Sequence, residues 1–225
     1  MCVLRIKNRN NVKAFHPMPE KRDIGPMRRV LCISMAMFGL VLFADAQPAR
    51  VLNPSFEGEP RDATVPRGWF VCTEDTTPDI LPGPWGVYTE PMAGETYVGL
   101  ITRENGTWES IGQKLSKPLE EGVCHSVTFS VARSDTYMGY DKAIKVRVWG
   151  GTRKCERTQL IAETERITST EWETLTFQFE AEAKIKYIII EAHHQDGHFS
   201  YAGNVLLDNL SPIRQCGRTA LLKRP

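Results

Sequence analysis

The chain has 225 residues, 28 Lys and Arg against 27 Asp and Glu, a formal net charge of +1, and 41% hydrophobic residues. So balanced a charge gives no electrostatic footprint for nucleic acid. The apolar content and length suit a domain with a real core.

Residues 1–26 carry Arg5, Lys7, Arg9, Lys13, Lys21 and Arg22 with no apolar period. We expect this leader to be untranslated or disordered, with translation starting at Met27. A signal anchor is the alternative. Arg28 and Arg29 precede an apolar run from Val30 to Phe43, which ends at Ala44-Asp45-Ala46. Basic residues, an apolar stretch and a small-residue site make residues 27–46 a secretory signal peptide. The run is short of the ~20 residues that span a bilayer. Cys32 lies inside the run, so it is not read as a lipoprotein cysteine. Cleavage after Ala46 would leave 47–225 as a single β-sandwich domain. Removing the 8 basic and 3 acidic residues of 1–46 leaves 20 and 24, a net −4.

Beyond Ala46 the patterning is that of strands. "SVTFSVA" alternates Val127, Phe129 and Val131 with Ser and Thr. "AIKVRVWGG" places Ile144, Val146 and Val148 on one face, and "TLTFQFEA" does the same with Leu175, Phe177 and Phe179. This period of two, bounded by Gly, Pro, Asn and Asp, predicts antiparallel strands with one buried face. "KIKYIIIEAHH" is apolar on parts of both faces, which predicts a strand covered on both sides. Further strands are expected at "RVLNPSFE", "GWFVC", "ETYVGLIT", "WESIGQKL", "QLIAET" and "NVLLDNLSPI". Pro118 and Gly122 deny "LSKPLEEG" a helix. Nine or ten short strands with turn chemistry between them predict an all-β antiparallel β-sandwich of the jelly-roll kind. Residues 73–94, "TEDTTPDILPGPWGVYTEPMAG", form the longest stretch outside strands. Long ordered loops of this sort often carry function.

Four cysteines remain after residue 46: Cys72, Cys124, Cys155 and Cys216. An even count in an exported chain predicts two disulfides, and three pairings are possible. The strand count puts all four near one end and does not decide among them. We expect Cys72–Cys155 with Cys124–Cys216.

Taken in order, "NPSFE", "GW", "GETYVGL", "WESIGQKLSKPLEEGVCHSVTFSVARS", "KVRVWGG" and "GNVLLDN" resemble a jelly-roll domain of the galactose-binding-domain-like class. The closer resemblance is to carbohydrate-binding-module-like domains of secreted Bacteroidetes proteins. It spans about residues 51–212. The multidomain pattern of that group adds a C-terminal anchoring module, which "SPIRQCGRTALLKRP" does not resemble. In many such modules a Glu of the first motif and an Asp of the last hold a calcium ion. The resemblance puts that role on Glu57 and Asp208, as a structural Ca²⁺. Calcium wants six to eight oxygens, and backbone carbonyls can complete the set. Trp69 is then expected in the core beneath the first loop.

If successive strands alternate direction, loops 58–67, 103–107, 135–141 and 194–203 share one end. That end would gather Arg103, Tyr137, Tyr140, Asp141, His194, His198 and Tyr201. Aromatic faces that stack on sugar rings, beside groups that bond hydroxyls, suit a glycan. The alternative is that these aromatics simply cap the sandwich. A rival surface holds Arg147, Trp149, Glu191 and His193 on the face opposite the core; the alternative is that other segments pack over that face. Zinc at His193, His194 and His198 is disfavoured, since adjacent strand residues point to opposite faces. No G-x-S-x-G, H-E-x-x-H or P-loop occurs. Glu104, Glu109, Asp141 and Glu191 are available as carboxylates for a glycosidase, but sequence cannot place them. The reading is therefore a secreted or cell-surface, periplasmic at the innermost, non-catalytic module that binds glycan. It would need neither nucleic acid nor, once the signal is cleaved, a membrane. A structural or adhesive protein-binding module is the alternative, and a small glycan hydrolase ranks third.

Overall fold

A computed structural model describes residues 47–194 and 199–217. The expected leader and signal peptide, and His198, lie outside the described residues. The described residues include twelve strands and one 3-10 turn. The strands are β1 (Phe70–Val71), β2 (Asp79–Leu81), β3 (Tyr97–Thr102), β4 (Ser110–Leu119), β5 (Cys124–Ala132) and β6 (Lys142–Ala143). They continue with β7 (Lys145–Gly151), β8 (Gln159–Glu163), β9 (Glu173–Glu180), β10 (Ile185–His193), β11 (Gly203–Asp208) and β12 (Arg214–Gln215).

Two sheets form. One runs β1-β4-β10-β7-β8. The other runs β12-β5-β11-β3-β2, with β9 on β5 and β6 on β11. All pairings are antiparallel except the short β6–β11 contact. Alternation places Val127, Phe129 and Val131 from one sheet against Val146, Val148, Ile188 and Ile190 from the other in a single core. Each such side chain stabilises the fold by about 1.5–3 kcal/mol on burial. Trp69 and Phe56 close one edge of this core, ring centroids 5.0 Å apart. The Trp69 indole donates to the Asn53 carbonyl, as expected for a core residue.

Three sequence expectations need correction. "RVLNPSFE" forms no strand; the residue before it, Ala49, makes an isolated bridge with Ile213. The expected loop 73–94 contains β2, which extends the seven-stranded sheet. The four cysteines do not gather at one end. Cys124 bonds Cys216 where β5 begins beside β12, whereas Cys72 bonds Cys155 over the five-stranded sheet, near Gly112. The pairing itself is the expected one.

A second, smaller core lies on the outer face of the seven-stranded sheet. Tyr97 and Ile101 of β3, Ala132 of β5 and Leu206 of β11 point outward there. Leu81, Val87 and Tyr137 pack onto them, so segments 82–94 and 133–141 cover this face. The strand "YVGLIT" is buried along its whole length because both its faces are occupied.

Candidate functional site at one end of the sandwich

The ends of β3, β5 and β10 and the starts of β4, β7 and β11 fall together, as their registers require. Loops 103–107 and 133–141 therefore emerge at one end, as expected. The row Tyr97, Gly99, Ile101 on the outer face of β3 continues to Arg103, where it runs out from under the covering segments.

A pocket of about 170 Å³ opens there, lined by Ala63, Thr77, Asp79, Trp85, Ile101, Arg103 and Tyr140. Two of these, Arg103 and Tyr140, belong to the predicted set. Trp85 stands at the tip of "LPGPWG" with φ 58°, a left-handed conformation that is a genuine outlier for so large a residue. Ala63, opposite, has φ 45°. Strained backbone of this kind collects at functional sites. The Trp85 ring, in a residue 43% exposed, meets Tyr140 edge-on with centroids 6.4 Å apart and planes at 89°.

The polar floor is held rigidly. Asp79 is buried and accepts from the Ala63 N–H (2.8 Å) and from the Tyr137 hydroxyl. Burial pushes its carboxyl up, and hydrogen bonds from Tyr137, Ala63 and the Trp85 side chain oppose that rise. Glu109 is wholly buried and accepts from Thr77 N–H (3.0 Å), Ile101 N–H (3.1 Å) and Arg103 Nη2 (2.6 Å). Burial raises its carboxyl too, against the Thr77 amide and the Arg103 charge.

Tyr137 is not a ligand platform. It is 1% exposed and lies flat on Gly99, where an added Cβ would sit 2.9 Å from its hydroxyl. Its role is to hold Asp79. Asp141 is exposed beside Tyr140, and its carbonyl accepts from Arg133. His194 and Tyr201 pack edge-on against each other, centroids 5.2 Å apart, and the Tyr201 hydroxyl donates to the Ala143 carbonyl. Neither lines the pocket. Asp79, Thr77 and Trp85 were missed by the sequence reading. The signal that pointed to them was "YVGLIT", apolar on both faces and therefore in need of a cover.

The rival surface is assembled but closed. Register places Arg147 opposite Glu191 and Trp149 opposite Ile189. Glu191 is buried, accepts from Trp149 Nε1 (2.8 Å), and pairs with Arg157 (2.7 Å) from the hairpin that Cys155 ties down. His193 packs edge-on to Trp108, while His194 turns to Tyr201, so the two diverge. Among the described residues no cluster of three His, Cys, Asp or Glu side chains gathers. Of the candidate carboxylates, Glu104 and Asp141 are exposed, and Glu109 and Glu191 are buried in ion pairs.

Glu57 and Asp208 converge on one segment. Glu57 accepts from Glu95 N–H and Thr96 Oγ1. Asp208 accepts from Ala93 N–H (2.8 Å) and Asn209 N–H (2.6 Å). Gly94, at φ 73°, lets this segment wrap the Glu57 carboxylate, since a Cβ there would fall 1.7 Å from Oε1. Burial pushes the Asp208 carboxyl up to about 6, and the nearby Glu57 charge adds to the rise. Among the described residues no Lys or Arg pairs with either acid. These two carboxylates are the groups that would hold a hard metal ion; no third His, Cys, Asp or Glu joins them among the described residues, and such an ion needs six to eight oxygens.

No protein-family model matches the sequence, and neither does any curated protein. Solved structures share the fold, a jelly-roll β-sandwich. The Stig cyclase FisC from Fischerella sp. TAU superposes with a TM-score of 0.50 at 13% identity, over 75% of this chain and 97% of that one. The K3 adhesin domain of Lys-gingipain from Porphyromonas gingivalis gives 0.47 at 17%, over 73% and 98%. The CBM22-1 xylan-binding domain of Paenibacillus barcinonensis Xyn10C gives 0.46 at 16%, over 76% and 97%. At these identities the likeness is one of fold.

Proposed function

We propose that this chain is a secreted or cell-surface glycan-binding module, non-catalytic, with its site at the Trp85 pocket. The observation that carries the reading is the pocket itself. Two aromatic rings at right angles stand over a floor of Asp79, Thr77 and Arg103. An indole face offers apolar area to the C–H face of a sugar ring, and the fixed polar groups take its hydroxyls. The two disulfides suit an oxidising compartment. A calcium ion between Glu57 and Asp208 would be structural, pinning segment 92–96 to the sheet.

The test is a glycan array probed with wild type, Trp85→Ala and Tyr140→Ala, each with and without EDTA. Binding that both substitutions weaken at least tenfold supports the site. Binding that neither substitution changes would move the site elsewhere.

Adhesion to a protein surface is a second reading. Tyr88 is 74% exposed and Met138 67% exposed, and the Met138 N–H donates to the Trp85 carbonyl. Met138 thus sets an exposed apolar side chain next to Trp85. A folded protein that binds no glycan on the array favours this reading.

A further inference from the structure

Trp85 lines two depressions. On one side is the 170 Å³ pocket over Asp79, and on the other a more open cleft of about 430 Å³ formed with Pro60, Arg61, Asp62 and Pro84. It is the one residue common to both. The inner pocket is well below the roughly 300–1,000 Å³ of usual small-molecule sites, so it holds a single ring. Ile101, Tyr140 and Arg103 also line it, and Arg103 is held by the buried Glu109. Trp85 lines both pocket and cleft, so a chain seated by its end in the pocket can run past it into the cleft.

The inner pocket is lined by one carboxylate, Asp79, and one cation, Arg103, whose charge is paired with the buried Glu109 behind it. That cation is already committed: its Nη2 bonds both Glu109 Oε1 (2.6 Å) and Thr77 Oγ1 (3.2 Å), and Nη1 reaches Thr107. Both Nη2 donors and one Nη1 donor are thus engaged within the protein. Asp79 instead presents an acceptor, which suits hydroxyl or ammonium donors. An anionic sugar would place like charges together in a partly desolvated site, which costs binding.

We infer that the site reads the end of a glycan chain, taking one terminal sugar that carries no negative charge into the Asp79 pocket and its neighbour into the cleft across Trp85. This rests on the glycan reading above, and deepens it to a ligand class. Neutral and amino sugars are accepted, and uronic acids are refused.

The experiment varies the charge of the ligand, which leaves the buried acids intact. Methyl glycosides of glucose, galactose and mannose are titrated by calorimetry, each in its neutral, 2-amino and 6-carboxylate form. In the series that binds, the neutral and amino forms should bind at least tenfold tighter than the carboxylate, and Trp85→Ala should lose at least tenfold. A disaccharide of that series should bind tighter than the monosaccharide, and methylating the hydroxyls of its terminal unit should abolish binding. Equal or tighter binding of the uronic form, or an unchanged Trp85→Ala, overturns the inference while array binding still supports a glycan module. An array on which no glycan binds overturns both.

Discussion

The Tyr137 hydroxyl donates to the buried Asp79 carboxylate across the outer face of β3, in the space that Gly99 leaves open. That bond joins a covering segment to the sheet and shapes the pocket floor at once. Tyr137→Phe removes it and leaves Asp79 with one fewer donor, which should cost about 1–3 kcal/mol in urea unfolding. Gly99→Ala pushes a methyl into both Tyr137 and Leu81. Overpacking of that kind should cost a similar ~1–3 kcal/mol. Both variants should also weaken binding at the Trp85 pocket, although neither residue touches ligand.

Asp208 makes stability depend on pH. Its folded value of about 6 lies above its unfolded 3.8, so between those values the native state holds more protons than the unfolded state. Stability must therefore fall as pH rises from about 4 to 6, and level off above. The loss attributable to this group is of the order of 2 kcal/mol. Asp79 and Glu109, also raised by burial, add slope of the same sign. Thermal melts in EDTA should show the decline, and Asp208→Asn should reduce it. Calcium at about a hundredfold its dissociation constant should add roughly 2.7 kcal/mol at pH 7 in wild type. No calcium response in wild type would remove the proposed ion.

The closed face over the five-stranded sheet depends on Arg157. Removing it by Arg157→Ala takes the guanidinium from the buried Glu191 carboxylate, which keeps the neutral Trp149 indole as a donor. Breaking a buried pair from one side costs about 3–5 kcal/mol, and somewhat less here because Arg157 is partly exposed. Glycan binding at the Trp85 pocket should persist at temperatures where the variant stays folded. Loss of binding in a folded Arg157→Ala protein would point to the opposite sheet instead.

The disulfides close long loops, with separations of 83 and 92 residues. Loop-closure entropy assigns each about 3–5 kcal/mol. Cys124→Ser/Cys216→Ser should lower stability by that amount, without altering the Trp85 pocket. Cys72→Ser/Cys155→Ser should do the same and also speed hydrogen exchange in the 152–158 hairpin.

Most of the sandwich was legible because one buried face leaves a period of two, as in β5, β7 and β9. The strand "KIKYIIIEAHH" announced its cover through Ile189, which is fully buried on the outer side. The opening segment misled: Val51, Phe56 and the residues between them look extended, yet Asn53 and Phe56 take positive φ, and Asn53 bonds Glu57 at both its N–H and its carbonyl. The Trp85 pocket was only half visible. Arg103 and Tyr140 follow strands whose direction can be counted. Trp85 sits in "LPGPWG", whose turns carry no period, so nothing local says which face the loop will cover. The burial of Tyr137 is illegible for the same reason, since cover by a neighbouring segment leaves no mark on its own sequence.

The Ala49–Ile213 bridge has a mechanical consequence. It lies near the start of β5, beside the Cys124–Cys216 bond, while Trp85 and Tyr140 lie past the other end of that nine-residue strand. At about 3.3 Å per residue the two regions stand roughly 30 Å apart. The backbone thus enters and leaves the sandwich at one pole and meets its ligand at the other. Tension applied between residues 47 and 217 would pass through a backbone bridge and a covalent bond without crossing the pocket.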